Sequence, residues 1–185
     1  ALPIFVSHPW VATFLKGARR LRPPVKNVVS RWHLPLVLNA LMEKPYEPPQ
    51  EASLEAWTKK TVFLIAITSA ARTCEIQAID VRPQLSIVQG NRASLMLNPA
   101  FVPKSSMKDE YFNRKIELEA FYPQGNARTL RGWRTLCPVR ALKWYLFKTK
   151  DIRVKDNFAL FMSYGDRTLG KSVSRNTIEI GRAHV

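Results

Sequence analysis

An α+β fold, mainly helical with a small antiparallel sheet, is what the sequence predicts, and three observations predict it. Segments with a helical apolar period lie on both sides of a central β-rich region. That region holds two strand-like runs around a turn and a third that alternates strictly between polar and apolar residues. The composition is ordinary globular usage, 46% hydrophobic and 23% charged over 185 residues, which excludes wholesale disorder and allows a sizeable core.

The elements follow in order. Val11, Phe14, Leu15, Ala18 and Leu21 share one helical stripe, with Lys16, Arg19, Arg20 and Arg22 largely off it, and Pro23-Pro24 stops that helix. Residues 25–33 read as an extended linker. Pro35 suits the first turn of a helix running through Leu36, Val37, Leu38 and Leu41. The proline-rich stretch from Pro45 to Gln50 is a loop. Ser53 can then cap a core helix on which Leu54, Trp57, Thr61, Leu64, Ile65 and Thr68 keep the period. A short helix is expected from about Thr73 to Ile79. Leu85–Val88 and Ala93–Leu97 are strands joined through Gln89-Gly90-Asn91-Arg92, and Lys115–Ala120 is a third strand with one wet face. Pro138 opens a helix through Lys150 with Leu142, Tyr145 and Leu146 inward, and Asn157–Ser163 is a short strand or extended segment. Gly170–Ile178 looks like a loop delivering a helix start, with Ser174 as the cap.

Several classes of function are excluded at this point. Cys74 and Cys137 cannot make a disulfide framework, no CxxC or Cys/His cluster offers a zinc site, and both read as buried thiols of a reducing compartment. The longest uncharged apolar stretch, Thr61–Ala71, is well short of the ~20 residues a spanning helix needs.

Charge is the informative property. Lys and Arg number 29 against 14 Asp and Glu, a net of +15, and the excess is unevenly placed. Ala1–Met42 carries six basic residues and no acid: Lys16, Arg19, Arg20, Arg22, Lys26 and Arg31. Ala120–Lys150 carries seven and again no acid: Arg128, Arg131, Arg134, Arg140, Lys143, Lys148 and Lys150. Such blocks suit a phosphate backbone, because each cation placed on a phosphate releases counterions. A cationic solvated face without a partner is the competing reading. Of these, Lys16, Arg19, Arg20, Arg22, Lys26, Arg128, Arg131, Arg134 and Arg140 are the candidate backbone ligands.

The chemical motif is Thr68-Ser69-Ala70-Ala71-Arg72-Thr73-Cys74-Glu75. An apolar helix ends in small residues and an arginine follows at the start of the next helix, where a guanidinium and helix N-terminal amides together would hold a phosphate. Glu75 can satisfy donors near that helix start or hold the arginine. By itself the motif is equally an Arg–Glu pair on a helix surface.

The segment resembles the first arginine motif of the tyrosine recombinases (phage-integrase family), in which a glutamate follows the arginine by three residues. Phe14–Pro23, Leu34–Leu38, Ala100–Lys104, Leu136–Leu142 and Gly170–Ser174 resemble, in the same order, one subset of that family, the recombinases of DIRS-type retrotransposons. The resemblance is collinear from about His8 to Ile178. It implies the end of a helical core-binding domain over residues 1–24, the linker 25–33, and part of a catalytic domain over 34–178. It also implies binding of double-stranded DNA and, in a longer parent, DNA recombination and integration through a 3′-phosphotyrosyl intermediate, with neither metal nor ATP. Arg72 maps to a catalytic arginine and Glu75 to a supporting residue. Lys104 maps to the general-acid lysine of the hairpin loop, with Lys108 the runner-up. Assembly into a synaptic complex and a nuclear location accompany this reading.

The sequence also departs from the family. Ala70 and Ala71 stand where a glycine usually precedes the arginine. None of His8, His33 and His184 makes the His-x-x-Arg box, and Tyr46, Tyr111, Tyr122, Tyr145 and Tyr164 all precede where the nucleophile would follow it. These tyrosines read as core or interface aromatics, and the 185 residues as a fragment that binds DNA without cleaving it. Residues 179–185, ending Gly181-Arg182-Ala183-His184-Val185, resemble a translated sequencing adapter and are expected to be a non-native tail. The alternatives are a domesticated, inactive relative and an unrelated DNA- or RNA-binding module.

Overall fold

The computed structural model describes residues 8–22, 33–102, 114–122, 132–174 and 177–178. The chain divides into two units, Ala1–Trp32 and His33–Val185. In the first, α1 (Pro9–Leu21) starts with a proline whose missing N–H would have lacked a helical partner anyway, and His8 Nδ1 accepts from Trp10 N at 3.3 Å. The expected stripe is present, but none of its residues is buried, and Trp10, Phe14 and Leu21 are largely exposed.

The second unit is a layer of helices on one face of a small antiparallel sheet. α2 (Leu34–Leu41) has Pro35 in its first turn and buries Val37 and Leu41. A loop containing two cis peptides, Lys44–Pro45 and Glu47–Pro48, leads to α3 (Leu54–Ser69), where Ser53 Oγ accepts from Ala56 N at 3.1 Å as the cap. Trp57, Leu64 and Ile65 of α3 enter the core, and Trp57 Nε1 donates to the Ala141 carbonyl at 3.2 Å. α4 (Thr73–Gln77) is shorter than the expected Thr73–Ile79. Ile79 leaves the helix because its backbone is claimed from both sides. It forms β1 (Ile79–Asp80) against Leu97, while its carbonyl accepts from Leu160 N at 2.9 Å.

β2 (Ile87–Gln89) and β3 (Arg92–Leu97) form the expected hairpin about a two-residue turn in which Gly90 has φ 54°. β4 (Lys115–Glu119) pairs with the other edge of β3, Ile116 opposite Leu95 and Leu118 opposite Ala93. Strict alternation turns Ile116 and Leu118 into the core and leaves Lys115, Glu117 and Glu119 wet. α3 and α5 (Pro138–Thr149) pack together and onto β4, with Leu142 and Tyr145 buried and Leu146 half-buried. The Tyr145 hydroxyl accepts from Met162 N at 2.8 Å, and burial raises its pKa above the ordinary 10.0. Asn157–Ser163 is extended, with single bridges at Ala159 and Met162. Ser174 caps the final helical turn, its Oγ accepting from Thr177 N at 3.3 Å.

One internal feature runs against composition-based reasoning. The Lys60 side chain is wholly buried on α3, donating to the Leu41 carbonyl at 2.7 Å and to Glu47 Oε1 at 2.5 Å, 5.1 Å from the Trp57 ring centre. Arg140 Nη1 and Nη2 grip the same carboxylate at 2.8 and 3.1 Å. Burial lowers the Lys60 pKa below 10.5, with the hydrogen bond to Glu47 opposing it. One carboxylate thus ties the loop after α2 to α3 and α5, and Lys60 adds a bond to the end of α2.

Candidate nucleic-acid site

The corner between α3 and α4 is built from the backbone outward. Thr68 and Ser69 bond back to the carbonyls of Leu64 and Ile65 at 2.7 and 2.6 Å, and the helix then stops in a left-handed residue, Ala70 at φ 51°. This is where the motif departs from the family's glycine, and the turn is made all the same. Alanine is strained in that region, so Ala70→Gly is expected to stabilise the protein by about 0.5–1 kcal/mol, read as a higher denaturation midpoint with an unchanged m-value. An unchanged or lower midpoint would contradict the strain.

Past this turn, Arg72 adopts an extended conformation at the N-cap of α4, and Glu75 Oε2 accepts from its backbone N–H at 2.7 Å. The Glu75 side chain is fully buried, and its other oxygen accepts from Arg114 Nη1 at 2.7 Å. Glu75 therefore performs the expected local task and one more, joining the start of α4 to the residue before β4. A carboxylate with both oxygens occupied pins the backbone of Arg72, while that residue itself is exposed. Arg114 was not legible as part of the site, because it lies 39 positions from Glu75.

Arg72 opens onto a cavity of about 350 Å3 between α3 and α4, with Lys59, Cys74, Tyr164 and Thr177 also in its wall. The rest of the lining is largely apolar, including Val62, Phe63 and Ile76. Lys59 is paired with Glu55 at 2.8 Å, which raises its pKa. Cys74 is half-buried in this wall, so the expectation of two buried thiols holds only for Cys137. Tyr164, set aside in the sequence as a packing residue, is half-buried in the same cavity as Arg72. Of the other tyrosines, Tyr145 is in the core, Tyr46 packs against it, and Tyr122 is 55% exposed.

The cationic candidates separate. Lys16, Arg19, Arg20 and Arg22 are all exposed on or just after α1, with Arg19 and Arg20 in its last turn. In the second unit Arg134 is exposed, whereas Arg140 is half-buried and held bidentately by Glu47, which offsets its charge as a backbone ligand. The block is free of acid only along the chain; the carboxylate that pairs with Arg140 comes from 93 positions away. Lys26, Lys104, Lys108, Arg128 and Arg131 lie outside the described residues, as do Tyr111 and residues 23–32 and 179–185. Among the described residues no three His, Cys, Asp or Glu cluster as a metal site would require, and no helix is long and apolar enough to cross a membrane.

No protein-family model, no curated protein and no solved structure matches the chain.

Proposed function

We propose that this chain binds the backbone of duplex DNA and holds Arg72 as the first arginine of a strand-exchange site of the tyrosine-recombinase type. The observation that carries the reading is the Arg72 corner: an exposed arginine on a sharp, small-residue turn, its backbone pinned by a buried glutamate that has no solvent role. A phosphoryl-transfer transition state gathers negative charge, and a guanidinium held in advance stabilises it more than the ground state. The exposed cations Lys16, Arg19, Arg20, Arg22 and Arg134 support the binding half of the reading, since most backbone contacts position a protein without specifying sequence. Cleavage and rejoining through a phosphotyrosyl intermediate, synaptic assembly and a nuclear location accompany this reading.

The test is a salt titration of duplex binding. With four phosphates neutralised by the α1 cluster alone, affinity should fall about a hundredfold between 50 and 200 mM salt. The double substitution R19A/R20A should flatten the log–log slope by about 2. A flat salt dependence would remove the backbone-binding reading.

A further inference from the structure

We propose that a second cavity, which shares no lining residue with the Arg72 cavity, takes a single unstacked nucleotide of a nucleic-acid strand. It encloses about 270 Å3 between the β2–β3 turn, the residues after β4 and the first turns of α5. That is near the small end of ligand sites, enough for one base and far too narrow for a duplex.

Its wall combines two chemistries. Phe121, Tyr122 and Trp144 supply aromatic surface, and Phe121 and Tyr122 are 42% and 55% exposed, a large apolar area left facing water. The Tyr122 hydroxyl donates to Asn91 Oδ1, which holds the ring in place before any ligand arrives. Every base has a π face, so a fixed, exposed ring is a stacking platform of the kind single-stranded nucleic acids use. The second chemistry is charge. Arg134, Arg140 and Lys143 line the cavity and no carboxylate does among the described residues. Arg140 is engaged by Glu47, and Lys143 Nζ donates one hydrogen to the Gly90 carbonyl at 2.6 Å. Arg134 and the remaining Lys143 donors are the groups left for phosphate oxygens. An apolar slot would accept any hydrophobe, and a bare cationic patch any anion. Stacking surface beside phosphate ligands selects a nucleotide.

This inference rests on the reading that the partner is nucleic acid, and the experiment separates the two. The 185-residue protein is titrated with a blunt duplex and with the same duplex bearing one unpaired 5-iodouridine, which is then photo-crosslinked and mapped by mass spectrometry. The unpaired nucleotide is expected to tighten binding about tenfold and to crosslink to Phe121, Tyr122 or Trp144. Tyr122→Leu should abolish the gain while leaving blunt-duplex affinity within about twofold, and Tyr122→Phe should keep it, because the ring and not the hydroxyl stacks. Blunt-duplex binding with no gain and no crosslink at these residues overturns the cavity proposal alone. Crosslinking of an iodouridine single strand in the cavity without duplex binding upholds it and overturns the duplex reading. Binding of neither overturns both.

Discussion

Glu47→Ala is expected to destabilise the protein by about 3–5 kcal/mol, because it leaves the ammonium of Lys60 buried without its counter-charge. The carboxylate serves two cations, so its loss also strips Arg140 of a bidentate partner. For a chain of this size the midpoint of thermal unfolding should drop by roughly 6–20 °C. The reverse deletion is milder. Lys60→Met keeps the Arg140–Glu47 pair and the packing of the stem against Trp57, and forfeits chiefly the hydrogen bond to the Leu41 carbonyl, about 1–3 kcal/mol. A pH series distinguishes charge from packing. The folded pKa of Lys60 lies below its unfolded value, so between that lowered value and 10.5 the unfolded chain binds more protons and stability rises with pH. In Glu47→Ala the carboxylate no longer opposes the lowering, the window widens, and the deficit should shrink as pH rises toward 10.5. Equal losses in the two variants, or a deficit independent of pH, would show that this network is not electrostatic.

On the proposed strand-exchange reading, Arg72→Ala, made in a protein that also carries a His-x-x-Arg box and a tyrosine nucleophile, is expected to slow covalent DNA attachment by about 10²–10³-fold. Duplex affinity should change by less than about fivefold, since one phosphate ligand among many is removed. Folding is checked in parallel; Glu75 bonds the residue's backbone N–H, which alanine retains. The measurement is the rate of covalent complex formation on a nicked or suicide duplex, with binding followed in parallel. A variant that attaches DNA at the parent rate excludes a catalytic role, and one that fails to fold assigns Arg72 to structure. Arg72→Lys should recover little of the rate, because a point charge cannot reproduce the planar fork.

Local chemistry made much of this molecule readable in advance. Pro35, Ser53, Pro138 and Ser174 mark helix starts through φ restriction or a side-chain oxygen, and such signals need no distant partner. The alternation of Lys115–Glu119, which decides the buried face of β4, and the Gly90-Asn91 turn, which sets the β2–β3 register, are likewise local. The reading of Glu75 as a support for the residue three before it is of the same kind. The misplaced boundary at Ile79 has the opposite character, since β3 and the 158–160 segment recruit its backbone from far along the chain.

What the sequence by itself determined was therefore most of the elements, though not β1, together with the α+β class and a strong cationic excess: each depends on spacing or composition within a few turns of chain. Tertiary structure alone decided which cations remain available. Glu47 neutralises Arg140 and Lys60, and Glu75 reaches Arg114, across separations of 93, 13 and 39 residues. An ion pair forms wherever folding brings opposite charges within a few ångströms, and a run of like charge in the sequence says nothing about what folds onto it.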